Sequence, residues 1–544
     1  MYPGNSPSNY INLHNLPLIM LRLAGLRTVS ARARTLRAAL LLRRYSDVPT
    51  AEIPPETISI VPTVSLLTDD AGLFKNEYAG SLITHLQSRN LIESLTSDNL
   101  FELTEEGQPK LNVYCGADPT AKSLHLGNLL PLMVALHFAL RGHGVVGLVG
   151  GATGAIGDPS GRTTERSQME QIERENNVAR IRGQIEGFFK NGFEYAKSRN
   201  VPGASDTALL QQNVKSVNNA DWWQSVKFLD FLASFGLLIR VSQMLARDSI
   251  LSRLDSQQGI GYNEFSYQIL QAYDFWHLMK EHSVNVQVGG NDQWGNITAG
   301  IDLISRAQKK YGGLGNKKSE LPAFGVTVPL LTTPKGEKFG KSAGNAVFIS
   351  KTMTSPYQLY QFFINTEDEM VAKLLKMFTL LPLESIDGHI LPKHEDDPGL
   401  RIAQRVLARE VVDLVHGPGV GDEMAYITSF LFPTPDQPFD DDLTADKLIL
   451  KFKNSGILQQ VSLSSFKNPD DLKLSTLLAT ILGKSKSETK NTIRAGGVYL
   501  GLNRDQLLDQ DDVVLFDKEN HLVDGKLLLV RVGKQNYSVV EITE

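Results

Sequence analysis

His125 and Asn128 stand where an apolar segment, residues 111–115, passes through a short polar turn into an apolar helical pattern at residues 128–140. Groups at a helix start lie beside free backbone N–H groups and the positive end of the helix dipole, so they suit a phosphate or another anion. Asp158 follows a glycine-rich run at residues 150–157, which turns back at a strand end and exposes one carboxylate in the same crevice. In residues 263–282, Tyr267, Gln271 and Asp274 recur at spacings of four and three and therefore share one helix face. Their neighbours Ile269, Leu270, Phe275, Trp276 and Met279 are apolar, so the triplet faces either a small polar cavity that fits a phenol or an ordinary satisfied core network. Asp292 and Gln293 come at a second strand-end turn, after the alternating residues 284–288, where acids commonly hold ribose hydroxyls. Lys338 and Lys341 lie in a Gly- and Lys-rich connector. Lys486, Lys490 and Arg494 repeat every four residues along a helical pattern at residues 484–495, a basic face that would position phosphates.

The elements that hold these groups follow from periodicity. Residues 111–115 read as a strand, 128–140 as a buried helix with Pro131 in its first turn and Gly142 as its stop, and 145–151 as a second strand. A strand, helix and strand joined so tightly form a right-handed parallel unit whose ligands sit at the carboxyl ends of the strands. The glycine-rich run lacks both a G-K-[ST] ending and the G-x-G-x-x-G spacing, which disfavours a P-loop ATPase and a dehydrogenase.

Length allows two to four domains, and 42% hydrophobic with 21% charged residues is the composition of a soluble globular protein. A net charge of −5 disfavours a protein that coats polyanions, so any nucleic-acid contact rests on local basic patches. One cysteine, Cys115, excludes an internal disulfide framework and a thiolate zinc cluster. Residues 1–46 lack acids and lysine but carry arginines among leucines, the composition of a mitochondrial presequence; a basic RNA-binding tail is the alternative. Residues 47–80 then form an extension and 81–330 the catalytic domain, with a helical insertion at 168–254. A connector spans 331–354, a helical domain 355–432, a Pro- and Asp-rich linker region 433–465, and a small mixed domain 466–544.

The stretch YCGADPTAKSLHLGN at residues 114–128 resembles the HxGH signature of class I aminoacyl-tRNA synthetases in its tyrosyl form, with Asn128 where many members carry a second His. GDPSG at 157–161, GGNDQWGN at 289–296 and KFGKS at 338–342 resemble further motifs of that family, in the same order across residues 114–342. The last domain is similar to the S-four-like RNA-binding domain that ends bacterial and mitochondrial members.

The resemblance implies an α/β fold: a Rossmann-like parallel-sheet catalytic domain with a helical insertion, followed by an all-α domain on the anticodon side and a small α+β RNA-binding domain. It implies activation of tyrosine with ATP and transfer to tRNA. Tyr114 and Asp274 are then assigned to the substrate hydroxyl, Asp158 to its ammonium, and Tyr267 with Gln271 to its amino group, with Gln293 in the same pocket. Cys115, on the wall of the ribose pocket, belongs with Gly116, Asp118, His125, Gly127, Asn128, Gly290, Asp292, Lys338 and Lys341 to the ATP site. Thr120, His125, Asn128, Lys338 and Lys341 are expected to act on the leaving pyrophosphate. Expected partners are ATP with Mg²⁺ carried by the nucleotide and no protein-bound structural metal, mitochondrial tRNA(Tyr), and a second copy of the chain, in the mitochondrial matrix and without a membrane. A tryptophan-specific relative is disfavoured because an indole offers no hydroxyl to Asp274 and Tyr114. A second role in holding group I intron RNA, as some fungal members do, is the alternative function; it draws on extra segments at residues 47–80, 200–207 and 311–320.

Overall fold

The computed structural model describes residues 77–160, 169–255, 259–312, 321–332, 341–342, 345–432, 443–533 and 536–544. The expected presequence and most of the 47–80 extension therefore lie outside the described residues, as does the segment 313–320.

A six-stranded sheet organises the first part of this region. Its strands are β1 (Ser94–Leu95), β2 (Asn112–Ala117), β3 (Gly144–Val149), β4 (Val214–Asn218), β5 (Val286–Gly290) and β6 (Phe324–Val328), in the spatial order β1-β6-β5-β2-β3-β4. All neighbours pair parallel except β1, which lies antiparallel to β6 at the edge. Strands β3 and β6 are buried along nearly their whole length, as apolar runs covered on both faces must be. The chain grows outward from β2 to β4 on one side, then returns to β5 and β6 on the other. The switch therefore falls between β2 and β5, where Tyr114 pairs with Gln287, and a crevice opens at their carboxyl ends.

Four helices of this region matter to the site: α1 (Leu126–Leu140), α2 (Gln171–Ser198), α3 (Phe228–Ser234) and α4 (Tyr262–His282). A fifth, α5 (Trp294–Tyr311), follows β5 after a single turn. Helix α1 begins two residues earlier than its apolar pattern suggests, so Pro131 falls beyond the first turn and cannot donate to the Gly127 carbonyl. The helical insertion expected at residues 168–254 also contains a strand. Val214–Asn218 within it is strand β4, in parallel register with β3, and α2 is the crossover that delivers it. The helical pattern SLITHLQSRNLIES at residues 81–94 yields only a short helix, Leu82–Ser88, because Asn90 adopts a left-handed φ of 58° and redirects the chain into β1.

Beyond the sheet come a short antiparallel pair, β7 (Lys341–Ser342) and β8 (Asn345–Ala346), and then a helical region with α6 (Ile402–His416) at the centre and α7 (Val420–Leu431) beside it. Arg199, at the end of α2, ties the two parts together: its guanidinium meets Glu410 at 2.8 Å and Asp413 at 2.7 Å, both on α6 and both buried. Part of the expected linker, 433–442, lies outside the described residues, but the rest of it is regular. Ala445–Ser455 forms α8, capped by Thr444, and Leu458–Ser462 forms β9. Strand β9 is the edge of a five-stranded sheet completed by β10 (Val498–Leu500), β11 (Asp505–Gln506), β12 (Leu527–Val532) and β13 (Asn536–Thr543), in the order β11-β10-β12-β13-β9. Against this sheet lies α9 (Lys486–Arg494), whose buried Ile493 joins the core of strands β10 and β12. No helix among the described residues is long and apolar enough to cross a membrane.

Candidate active site

A cavity of about 760 Å³ occupies the crevice at the ends of β2 and β5. Tyr114, Gly116, Asp118, Thr120, His125, Gly127 and Asn128 line it from β2 and the start of α1, and Gly290, Asp292 and Gln293 from the turn after β5. Asp158 comes from the glycine-rich turn after β3, and Tyr267, Gln271 and Asp274 from one face of α4. The structure thus brings together groups drawn from four separate stretches of sequence. Cys115 is the exception. Alternation along β2 turns its side chain to the opposite face of the sheet from Tyr114, into the core beneath α1, and burial pushes its thiol up to about 12. Lys338 lies outside the described residues, as does the side chain of Lys341.

At the helix start, the backbone N–H of His125 donates to Asn128 Oδ1 at 3.0 Å. A backbone N–H can only donate, so this contact fixes the amide: its oxygen faces the cap and its two N–H groups are left for the cavity. The His125 ring lies so close that a Cβ on Gly127 would come within 3.0 Å of it, which explains a glycine there. Asn128 can therefore do the donor's work for which a second histidine is common, from the positive end of α1.

The floor of the cavity is a connected polar network. Tyr267 Oη donates to Asp118 Oδ2 at 2.7 Å, and Thr153 Oγ1 donates to Asp118 Oδ1 at 2.8 Å. Asn219 Nδ2 then donates to Thr153 Oγ1 and to Asp274 Oδ2, each at 2.9 Å. A Cβ on Gly150 would collide with the Asp118 carboxylate, so the glycine lets β3 pass beneath it. Asp274 also accepts the indole N–H groups of Trp222 at 2.8 Å and Trp223 at 2.7 Å, both on Oδ1. Burial pushes Asp274 up to about 7, while these three donors pull the other way and the nearby Asp118 adds to the rise. Its three hydrogen-bond partners are all donors, and each of them favours the ionised carboxylate.

Tyr114 leans on Phe275 with ring centroids 5.3 Å apart, and its buried hydroxyl has no hydrogen-bond partner. A buried unpaired hydroxyl costs stability and calls for a ligand atom. Gln287 Oε1, on the neighbouring strand and also lining the cavity, is a second such atom. Nearer the mouth, Gln293 Nε2 donates to Asp158 Oδ2 at 2.8 Å and Gln271 Nε2 to Gln293 Oε1 at 3.3 Å, while Asn296 bridges both glutamines. Chemically, the cavity offers a deep acceptor and an idle hydroxyl for a ring bearing an O–H, carboxylates for a cation, and a helix start for an anion. Among the described residues no group of three or more His, Cys, Asp or Glu side chains is placed to hold a metal ion.

Asn219, Trp222, Trp223 and Thr153 were not identified as site residues from the sequence. Both tryptophans belong to a strongly apolar stretch and read as core, yet a buried indole N–H needs an acceptor, and that requirement was the available signal. The rest of the stretch, residues 224–245, is divided: Phe231, Leu238 and Met244 are buried, while Phe228 and Leu229 on α3 are 63% and 76% accessible and Val241 is 60% accessible.

On α9, two of the three expected RNA-facing cations are engaged within the domain. Lys490 pairs with Asp512 at 2.6 Å and Arg494 donates to the Gln510 carbonyl at 2.9 Å, because the loop after β11 folds back over that face. Lys486, at the first position of the helix, is exposed.

A family model described as class I tRNA synthetases (W and Y) matches residues 106–432. The chain is 42% identical over 523 residues to the mitochondrial tyrosine–tRNA ligase of Saccharomyces cerevisiae, covering 95% of this chain and 99% of the yeast protein. It is 37% identical to the mitochondrial tyrosine–tRNA ligase of Schizosaccharomyces pombe, over 84% of this chain and 97% of that one. Among solved structures, a C-terminally truncated mitochondrial tyrosyl-tRNA synthetase of Aspergillus nidulans superposes with a TM-score of 0.59 at 33% identity, covering 68% of this chain and 99% of its own.

Proposed function

The chain belongs to the class I tRNA synthetases of the tryptophan and tyrosine group and is a tyrosine–tRNA ligase; from that premise we propose how its residues divide the work. The observation that carries the assignment of the pocket is the pair at its floor. Asp274 accepts and Tyr114 has a hydroxyl to spare, which suits a phenol oxygen that both donates and accepts; an indole N–H could donate to Asp274 but would offer the Tyr114 hydroxyl no acceptor.

In the first step the tyrosine carboxylate attacks the α-phosphorus of ATP; a C–O–P bond forms, the α–β phosphoanhydride breaks, and pyrophosphate leaves. An α-carboxyl with a pKa of roughly 3.5 is already ionised at neutral pH, so no general base is needed. Catalysis then rests on positioning and on donors that tighten as charge builds on the leaving group. Asp158, Tyr267, Gln271 and Gln293 hold the ammonium end. Asp118, Asp292 and the backbone at Gly116, Gly127 and Gly290 hold the nucleotide. Thr120, His125 and the outward amide of Asn128 meet the phosphates, joined by Lys338 and Lys341. Mg²⁺ arrives with ATP as its counter-ion. In the second step a hydroxyl of the tRNA's terminal ribose attacks the activated carbonyl and AMP leaves.

The reading extends to the whole molecule. The exposed apolar residues of α3 and its neighbours would be covered by a second copy of the chain, and Leu229→Glu should then give monomers by analytical ultracentrifugation. The protein acts in mitochondria, in the matrix, on mitochondrial tRNA(Tyr), with the domain that carries α9 on the RNA side and Lys486 as its more available cation. The relatives' names speak of tRNA ligases and do not bear on group I intron RNA; most of the segments that reading drew on lie outside the described residues. Purified protein should catalyse tyrosine-dependent ATP–pyrophosphate exchange, and exchange supported by tryptophan in place of tyrosine would overturn the pocket assignment.

A further inference from the structure

We propose that Trp223 is a specificity-positioning residue: by donating a second indole N–H to Asp274 Oδ1 it saturates that oxygen and leaves Oδ2 as the acceptor a phenol hydroxyl can reach. This rests on the reading of Asp274 as the phenol's partner. A carboxylate offers about four acceptor sites, two on each oxygen. Trp222 and Trp223 fill both on Oδ1, at 2.8 and 2.7 Å, and Asn219 fills one on Oδ2 at 2.9 Å. One site is left. An indole N–H only donates, so the carboxyl cannot turn and present a proton to either tryptophan; it must accept, and it must accept in this orientation.

The two tryptophans are held by different neighbours. Trp222 stacks on His277 with centroids 4.4 Å apart. Trp223 stands edge-on to Phe231 of α3 at 5.4 Å and tilts on Tyr273 at 4.8 Å, an aromatic cage that fixes where its N–H points. Besides its donors, Asp274 faces Tyr114 on β2, Asp118 after β2 and Tyr273 on its own helix, with His277 beyond Trp222. Two of these groups are phenols, which would be anions if ionised, and one is a carboxylate, so the indole N–H groups supply the opposing polarity. Once a tyrosine donates to Oδ2 and Tyr114 donates to the tyrosine oxygen, the last acceptor site on Asp274 and the Tyr114 hydroxyl are both paired. Phenylalanine leaves both the last acceptor site and the Tyr114 hydroxyl unpaired.

The test is Trp223→Phe, which keeps an aromatic ring in the cage and removes the N–H. Tyrosine- and phenylalanine-dependent pyrophosphate exchange are measured across pH with the full chain. KM for tyrosine should rise on the order of tenfold with kcat little changed, as expected for one hydrogen bond to a charged group. The preference for tyrosine should fall by a like factor, and the acid limb of kcat/KM should move to higher pH. Phe231→Leu loosens the same cage without touching the donor. An equal shift in that variant, or an unmoved acid limb and preference in Trp223→Phe, would overturn the proposal. Asp274→Asn run alongside separates the two readings: an unchanged preference there removes Asp274 from the pocket altogether, and Trp223 with it. A measurement on the unmutated protein guards against a variant that does not fold. With ¹⁵N-labelled tryptophan, the Nε1–H resonances of Trp222 and Trp223 should shift with one common pH midpoint, and a Trp223 resonance that ignores the titration contradicts the assignment.

Discussion

Tyr114 Oη is a buried hydroxyl with nothing to bind until substrate arrives, and this sets stability against affinity at one atom. Tyr114→Phe should raise the free protein's stability by about 1 kcal/mol in chemical denaturation, since an unpaired buried polar group is removed. The same change should weaken tyrosine binding roughly three- to tenfold, and loss of both properties together would mean that the hydroxyl has a structural partner. Asp274 gives a pH dependence. Its carboxyl is pushed up to about 7, so the accepting, ionised form dominates above that pH and is lost below it. KM for tyrosine should therefore climb as pH falls from about 7, approaching tenfold per unit, while a KM flat from pH 8 to 5.5 would show Asp274 protonation to be irrelevant. The face-sharing of Tyr267, Gln271 and Asp274 was legible from spacing alone. Their partners were not, because Asn219, Trp222 and Trp223 reach Asp274 from a segment about fifty residues away, and proximity of that kind is decided by the sheet.

At the scale of elements, the strand and helix on either side of His125 were readable because apolar runs and a polar turn mark them directly. Strand β4 was not, since Val214–Asn218 is short, half-polar and set between helices; only its register with β3 makes it a strand. The same limit hid the facing of Cys115, whose neighbour Tyr114 shares its motif but not its side of the sheet. Element ends also carry the contacts that are costliest to break. Arg199→Leu would leave Asp413 buried in α6 without its guanidinium and Glu410 with only that of Arg409, at 3.2 Å, and we expect a loss of about 3 kcal/mol in thermal or denaturant unfolding. Glu410→Gln in that background should recover part of it; a variant as stable as the parent would show that α2 and α6 are held by apolar packing alone. Asn128→Ala removes both the cap on α1 and its outward donor. It should slow tyrosine activation far more than it raises KM for tyrosine, and Asn128→His should restore the rate if phosphate donation is the role.

For the whole molecule, the sequence places a linker region at residues 433–465 between the helical domain and the small mixed domain. The structure moves that boundary. Leu448 and Phe452 of α8 belong to the same core as α7, with Phe452 edge-on to Phe430 at 5.8 Å, so α8 is part of the body that bears the active site. A chain ending at residue 457 should keep pyrophosphate exchange and lose most tRNA charging. A chain ending at residue 442 should also unfold at lower temperature, and equal unfolding temperatures for the two would return α8 to the tail. Strand β13 carries a different consequence. It lies inside its sheet, parallel to β9 on one side and antiparallel to β12 on the other. A chain cut before Asn536 would therefore keep every element that lines the cavity but leave the five-stranded sheet split, with β9 and β12 as two bare edges, each a template on which the strand of another molecule can pair.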